Sequence, residues 1–170
     1  YLWVWHSSNL MLKEVRVFDA DFSNSCDITL LKCRMGGLSF SKSSSFTVRY
    51  CRIEGGLYSY SSIRGVIKDN IINYIYLRGE KLRHFIHVIE NCTTTEGASI
   101  IYVANSTFSL TEYRGIAEII IVNSPMVNIT LRSPSPIPLS YFTIVFSSNI
   151  VMKGCMFEHS YGYSLRNVSI

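Results

Sequence analysis

Charged side chains are scarce in this sequence, and long apolar runs are missing. Of the 170 residues, 16% are Asp, Glu, Lys or Arg, whereas soluble domains usually carry about a quarter. No run of about 20 apolar residues occurs, so we predict no membrane-spanning helix. The net charge of +4 comes from scattered basic residues. We therefore do not expect nucleic-acid binding, which requires basic residues clustered on one surface.

Sequence motifs that carry common chemistry are also missing. The five cysteines form no CxxC pair, and their odd number prevents complete pairing within the chain. His84 and His87 would point to opposite faces of a strand, which is a poor arrangement for chelation. Nucleophile elbows and phosphate-binding glycine loops do not occur. We therefore predict no metal site and no cofactor, apart from the calcium considered below.

The apolar residues, 48% of the chain, are arranged in a repeat. Segments that begin at Phe22 and Phe40 match at Phe, Ser, Ser, Thr, Cys and Arg with an offset of 18 residues, and both continue into Gly-Gly-Leu. Within each segment apolar residues alternate with others, as they do in a strand with one buried face. A period of this length is typical of a solenoid, in which each coil buries the apolar face of the next.

A looser form of the repeat places one Cys or Asn in each coil. These anchor positions are Cys33, Cys51, Asn70, Asn91 and Cys155. We expect Cys33 to stack on Cys51 and Asn70 on Asn91, so that the asparagine amides form a hydrogen-bonded ladder at a bend. An upstream copy anchored at Ala20 lies only 13 residues before Cys33 and breaks the period. The glycine pairs that follow the cysteines are expected at corners, where they would supply positive φ.

The unit V-x-V-x-x-Cys/Asn-x-Phe/Ile, with bends rich in Ser and Asn, resembles the repeat of right-handed parallel β-helix proteins of the pectate-lyase-like superfamily. It covers most of residues 15–123 and returns at 149–157. The resemblance implies one all-β domain over residues 1–170, a right-handed parallel β-helix of about seven to eight coils, either complete or a segment of a longer chain. Residues 132–139, which contain three prolines, predict a projecting loop. A β-sandwich is the alternative fold.

The densest acidic group consists of Asp19, Asp21 and Asp27. These residues are candidate catalytic carboxylates or calcium ligands, because the resemblance implies lyases that use acidic calcium ligands and an arginine base, and glycosidases that use three Asp and a His. Neither family's set is complete here, since the Asp-Asp, Gly-His-Gly and Arg-Ile-Lys motifs are missing. The alternative is a solvated strand edge, because Asp19 and Asp21 share one side of a strand.

Two further groups are candidates for ligand binding. Arg34 and Arg52 follow the repeated cysteines and should stack one coil apart, either as a basic strip for an anionic sugar or phosphate, or as outward arginines neutralised by Glu54 and Asp27. The tyrosines occur in pairs with period two, so each pair could lie on one face and stack against sugar rings. Simple packing or a protein interface would use tyrosine equally well. The tyrosines are Tyr58, Tyr60, Tyr74 and Tyr76.

Four Asn-x-Ser/Thr sequons are present, and three are candidate glycosylation sites. We predict glycans at Asn128 and Asn167, and consider Asn105 as a third site. Asn91 also begins a sequon, but its anchor position predicts a buried and unmodified side chain.

No catalytic set is visible and the polarity is largely uncharged, so we predict a non-catalytic structural or binding module. It would belong to an extracellular, cell-surface, virion or filament protein and contact glycans or neighbouring subunits, as an oligomer or part of a larger assembly. The aromatic segment Tyr1-Leu2-Trp3-Val4-Trp5 predicts a strand that is docked on a partner or cut from a longer structure. The alternative function is a polysaccharide lyase or glycoside hydrolase of the pectate-lyase-like superfamily.

Overall fold

The computed structural model describes residues 1–112, 115–130 and 139–169. Of the described residues, 65% lie in strands and 2% in a helix, and they wind into a β-solenoid of about nine coils. The predicted parallel β-helix is thus confirmed over the alternative sandwich, although the coils number slightly more than the seven to eight expected. Contacts divide the chain into two units, Tyr1–Gly97 and Ala98–Ile170. The predicted loop at 132–139 lies almost entirely outside the described residues.

The first unit is built from short strands joined by tight bends. The strands are parallel wherever they pair. Successive coils are offset by 18 or 19 residues, as in the pairing of Ala20 with Leu38 and of Leu38 with Leu57, except that the last is offset by 22, as in the pairing of Ile67 with Ile89. The elements are β1 (Leu2–Trp5), β2 (Met11–Lys13), β3 (Asp19–Ser23), β4 (Cys26–Leu31), β5 (Arg34–Met35), β6 (Gly37–Ser41), β7 (Ser44–Arg49), β8 (Arg52–Tyr60), β9 (Val66–Lys68), β10 (Ile71–Arg78), a 3-10 helix (Leu82–His84), β11 (Val88–Glu90) and β12 (Cys92–Thr93).

These strands form two sheets along the first unit. The first sheet has the order β1-β3-β6-β8-β10-β12, and the second has the order β2-β4-β7-β9-β11. Alternation places one side of each strand in the core: in β3, Ala20 and Phe22 are buried while Asp19 and Asp21 face outward. Stacked rings fill the interior, with Phe22 and Phe40 at 5.3 Å. Burial of this continuous apolar column is the main force that holds the coils together.

The coils turn at residues in the left-handed backbone region. Their φ angles lie between 49° and 58°, although all of them carry a side chain. The backbone N–H of Asn24, for example, donates to the carbonyl of Ser41 on the next coil at 2.9 Å, and such bonds offset the strain of positive φ. The bends form three columns, which are His6, Asn24, Lys42 and Ser61; Asn9, Asp27, Ser45 and Arg64; and Glu14, Lys32, Tyr50, Asp69 and Asn91.

Buried side chains at the bends link one coil to the next. The backbone N–H of Ser25 donates to Oγ of Ser43 at 3.2 Å, and that of Ser43 donates to Oγ of Ser62 at 3.0 Å. The hydroxyl of Ser43 in turn donates to the carbonyl of Phe22 at 3.0 Å. This serine ladder satisfies backbone groups that the turns would otherwise leave unpaired in the core. The sequence repeat did not predict this serine ladder.

Two predicted registers are wrong. Ile89 pairs with Ile67 in the second sheet and Cys92 is buried, so Cys92 rather than Asn91 occupies the anchor position. Asn91 is an exposed bend residue, because a shift of one residue moves a side chain to the other face. Upstream, the N–H of Arg34 donates to the carbonyl of Val15 at 2.9 Å. The coil before Cys33 therefore has the regular length. The period only appeared to break because Ala20 lies in a different strand of the coil from the one that precedes Cys33.

The glycine pairs do not supply positive φ at corners. Gly36 and Gly55 are needed because neighbouring backbone lies too close for a side chain: a Cβ on Gly36 would lie 2.5 Å from the carbonyl oxygen of Phe18. A Cβ on Gly56 would lie 2.3 Å from the ring of Tyr74. Their role is close packing between coils.

The second unit repeats this plan with two rows of parallel strands. Their strand orders are β13-β15-β17-β19 and β14-β16-β18-β20. Inward residues such as Ile119, Ile129, Phe142 and Ile150 form its core. The described residues contain no helix of the length and apolar character needed to cross a bilayer. The strands are β13 (Ser99–Ala104), β14 (Phe108–Leu110), β15 (Ile116–Val122), β16 (Val127–Thr130), β17 (Leu139–Val145), β18 (Ser148–Lys153), β19 (Phe157–Tyr163) and β20 (Arg166–Ser169).

Candidate functional site

The outward side chains of the first sheet in the first unit form a continuous surface, which we call the aromatic face. Because the strands pair in parallel, residues on successive coils line up in columns. Two columns define the face: Trp3, Asp21, Ser39, Tyr58 and Tyr76; and Trp5, Ser23, Ser41, Tyr60 and Arg78.

Two tryptophans stand at one end of this face. Trp3 and Trp5 are 80% and 70% exposed, whereas Leu2 and Val4, which alternate with them in β1, are half-buried. They are the two tryptophans of the chain. Exposure of two large aromatic side chains side by side is uncommon on protein surfaces and is typical of binding surfaces.

A tyrosine cluster stands at the other end of the face. The structure brings together all four tyrosines singled out in the sequence, on the adjacent strands β8 and β10. Tyr58 has its ring 6.1 Å from that of Tyr60, 5.6 Å from that of Tyr74 and 6.2 Å from that of Tyr76. The hydroxyls of Tyr58 and Tyr74 are hydrogen-bonded. Each tyrosine is half-buried, so the packed cluster leaves part of its ring surface exposed.

Small polar side chains form the floor between the two aromatic ends. The column from Trp3 to Tyr58 makes three interstrand steps, which span about 14 Å at about 4.8 Å each. A depression of about 420 Å³ lies at the tryptophan end of this floor. Its lining combines apolar rings with carboxylate, hydroxyl, amide and ammonium groups, which suits a polar ligand that has apolar faces. The lining residues are Trp3, Val4, Trp5, Asp21, Ser23, Asn24, Ser41 and Lys42.

The three candidate carboxylates do not come together. Asp19 and Asp21 both point outward from β3, and Asp21 is part of the floor of the aromatic face. Asp27 is instead exposed near the start of β4, in the second sheet, with φ of 53°. Among the described residues, no group of three or more His, Cys, Asp or Glu side chains is placed to hold a metal ion.

The predicted arginine pair lies at the opposite end of β8 from the tyrosine cluster. Arg34 and Arg52 are opposite each other in register, with Arg16 one coil further on. Both contact Oε1 of Glu54: Arg52 Nε at 3.4 Å, and Arg34 through Nη2 and, at 3.1 Å, Nε. The hydrogen bond from Arg34 lowers the pKa of Glu54. Glu54 thus neutralises part of this basic strip, whereas Asp27 belongs to another bend.

All four sequon asparagines are exposed. Asn105 accepts a hydrogen bond from Asn123 at 2.8 Å, Asn128 accepts one from Thr130 at 2.8 Å, and Asn167 donates to Asn149 at 3.1 Å. Asn91, expected to be buried, donates instead to Asp69 at 3.1 Å.

Comparison of the chain with protein-family models, with curated proteins and with solved structures finds no match. A candidate site is therefore identified from the residues of this chain alone. The sequence predictions did not include Trp3 and Trp5 as site residues. Their signal was the alternation Leu-Trp-Val-Trp, which predicts two tryptophans on one face of a strand.

Proposed function

We propose that the aromatic face binds a carbohydrate, and that the chain is a non-catalytic binding module. The observation that carries this proposal is the exposure of Trp3 and Trp5, at 80% and 70%, beside a floor of small polar side chains. Sugar rings combine an apolar C–H face with a rim of hydroxyls. Indole rings stack on the apolar C–H face of a sugar, while carboxylates and serine hydroxyls form hydrogen bonds with its hydroxyl rim.

The two aromatic ends suit a ligand of several sugar units. A ring stacked on Trp3 would direct its hydroxyls toward Asp21 and Ser39, and a later ring would reach Tyr58 about 14 Å away. The rings of the tyrosine cluster are held by mutual packing, so little side-chain entropy is lost when a ligand binds.

Tryptophan fluorescence tests this proposal directly, because both tryptophans of the chain lie in the site. We expect at least one oligosaccharide from a panel of neutral and acidic compounds to change the tryptophan emission on titration. Trp3→Ala and Trp5→Ala should weaken that binding about tenfold or more, measured by calorimetry. Met11→Ala removes another exposed apolar side chain, on the second sheet, and is the matched control. Unaltered emission across the panel, or equal binding by all three variants, would contradict the proposal.

Contact with neighbouring subunits is the second candidate, since exposed tryptophans are also typical of protein interface hot spots. On this alternative the protein is an oligomer or part of a surface, virion or filament assembly. Sedimentation over a range of concentrations should then show self-association that Trp3→Ala and Trp5→Ala abolish and Met11→Ala preserves. A monomer at all concentrations would exclude self-assembly through this face.

A polysaccharide-cleaving activity is favoured by one observation, the position of Asp19 and Asp21 on the same side of β3. On this alternative, incubation with acidic polysaccharides, with and without calcium, releases shorter products. Asp21→Asn would then remove the activity while leaving binding measurable. Binding without any product supports the non-catalytic module.

A further inference from the structure

A second depression lies outside the aromatic face and has different chemistry. It encloses about 700 Å³ and is lined by two arginines and three aliphatic residues. One wall is the bend before β9, and the other is the segment of residues 79–87, which contains the 3-10 helix. We call it the arginine groove, and its residues are Ile63, Arg64, Leu82, Arg83 and Ile86.

The segment that forms one wall is held in place by two histidines. Nδ1 of His84 accepts the backbone N–H groups of Glu80 and Lys81 at 3.2 and 3.3 Å. Nδ1 of His87 accepts the N–H of Gly65 at 3.1 Å, and Nε2 of His87 donates to the carbonyl of His84 at 3.1 Å. A Cβ on Gly65 would lie 2.7 Å from His87 Nδ1, so the glycine permits this contact. The groove is therefore pre-formed, as ligand sites usually are.

The two guanidinium groups of the groove have no acidic partner. Arg64 and Arg83 are exposed, and neither forms an ion pair with a carboxylate in the described part of the chain. Burial, followed by the positive charges of Arg83 and Lys81, lowers the pKa of His84, and the negative charge of Glu80 opposes this shift. Both guanidinium groups therefore carry a positive charge with no carboxylate of the chain beside it at the rim of an apolar surface, where an anion that contacts both would be attracted.

We propose that the arginine groove binds a long-chain carboxylate, of the fatty-acid class. The carboxylate would accept hydrogen bonds from Arg64 and Arg83, which present the planar donor geometry that carboxylates match. The alkyl chain would cover Ile63, Leu82 and Ile86. The lining has no hydroxyl, amide or carboxylate side chain to match the hydroxyls of a sugar, which distinguishes this groove from the aromatic face. The inference is independent of the proposed carbohydrate function.

Calorimetric titration with dodecanoate, below its micelle concentration, tests the proposal. We expect saturable binding by the wild-type chain and at least tenfold weaker binding of acetate, which lacks the alkyl chain. Arg64→Gln and Arg83→Gln should each weaken dodecanoate binding about tenfold. Arg166→Gln, the same change at an exposed arginine of β20, should leave it unchanged. Followed by NMR, the His84 imidazole should titrate at a higher pH when dodecanoate is bound, because the carboxylate offsets the charge of Arg83.

Several results would overturn the proposal. One is equal affinity for acetate and dodecanoate, and a second is equal affinity of the Arg64→Gln, Arg83→Gln and Arg166→Gln variants. A third is binding to vesicles of anionic phospholipid without binding of monomeric dodecanoate. Circular dichroism establishes that each variant is folded. Should either groove variant fail to fold, the salt dependence of the wild-type chain decides, since an affinity that does not fall with ionic strength excludes a guanidinium–carboxylate contact.

Discussion

The backbone N–H of Cys33 donates to the sulfur of Cys51, one coil away, at 3.3 Å. The N–H of Cys51 donates in turn to Oδ1 of Asn70 at 2.8 Å, and the Asn70 amide donates to the carbonyl of Val48 at 2.9 Å. Cysteine and asparagine are therefore equivalent in this ladder, because each accepts from one coil and donates to a buried carbonyl. The stacking of Cys33 on Cys51 that the repeat predicts is confirmed.

Asn70 can be exchanged for cysteine but not for leucine. Asn70→Cys preserves an acceptor and a donor and should change the free energy of unfolding by less than about 1 kcal/mol. Asn70→Leu leaves the Cys51 N–H and the Val48 carbonyl unsatisfied in the core and should cost about 2–4 kcal/mol. Urea denaturation measures both values. Equal destabilisation by the two variants would contradict the ladder.

Cysteine labelling should separate two classes of thiol. Cys26 and Cys155 are half-buried and should react first with a water-soluble maleimide, whereas Cys33, Cys51 and Cys92 are buried and should react only after unfolding. Burial also raises the pKa of the Cys51 thiol to about 11, so its thiolate is rare at neutral pH. Mass spectrometry of the labelled peptides gives the order. Rapid labelling of Cys92 would contradict its burial at the anchor position and would favour Asn91 there instead.

His87 should make the first unit less stable in acid. Burial lowers its pKa from 6.5 to about 4, so the unfolded chain takes up a proton at a higher pH than the folded chain. The free energy of unfolding should fall by about 3 kcal/mol as the pH drops from 6.5 to 4, and this contribution should level off below that. Urea denaturation across this range measures the slope. The His87→Gln variant is the control, and the same slope in both proteins would contradict the assignment.

Removal of Glu54 should expose the basic strip of Arg34 and Arg52. In Glu54→Gln both guanidinium groups lose their carboxylate partner, so retention on a dextran sulfate column should extend to higher salt. Stability should change by less than about 1 kcal/mol, because the pair is exposed. Glu96→Gln makes the same charge change at an exposed position. An equal shift for both variants would mean that only net charge matters.

The exposed position of Asn91 predicts that its sequon can be glycosylated. Produced through a eukaryotic secretory pathway, the chain should carry glycans at sequons that include Asn91, and Asn91→Gln should lower its mass by one glycan. The amide keeps one hydrogen after attachment, so its bond to Asp69 can persist. Asn105→Gln and Asn128→Gln provide comparisons at other exposed sequons. Secretion of the protein without a glycan on Asn91 would contradict the prediction.

Sequence patterns predicted the local structure better than the register over long distances. The alternation in Ile28–Leu30 and Phe46–Val48 placed these residues in the core, where all four are fully buried. The same approach failed at Asn91, because residues 79–87 replace a tight bend with a longer segment and shift the phase by one residue. It also missed the serine ladder, since serine is as common in exposed bends as in buried ones.

By itself, the sequence determined that the chain is a parallel β-solenoid. A recurring set of apolar residues with a period near 18 can bury its surface only when each coil stacks on the next. Only the tertiary structure decided which outward side chains share a surface. Trp3 and Tyr58 lie on the same face because four strands pair in register. Arg64 and Arg83 line the same groove because a histidine-anchored segment folds back. Such neighbours are far apart along the chain, and their contact depends on the exact length of every coil between them.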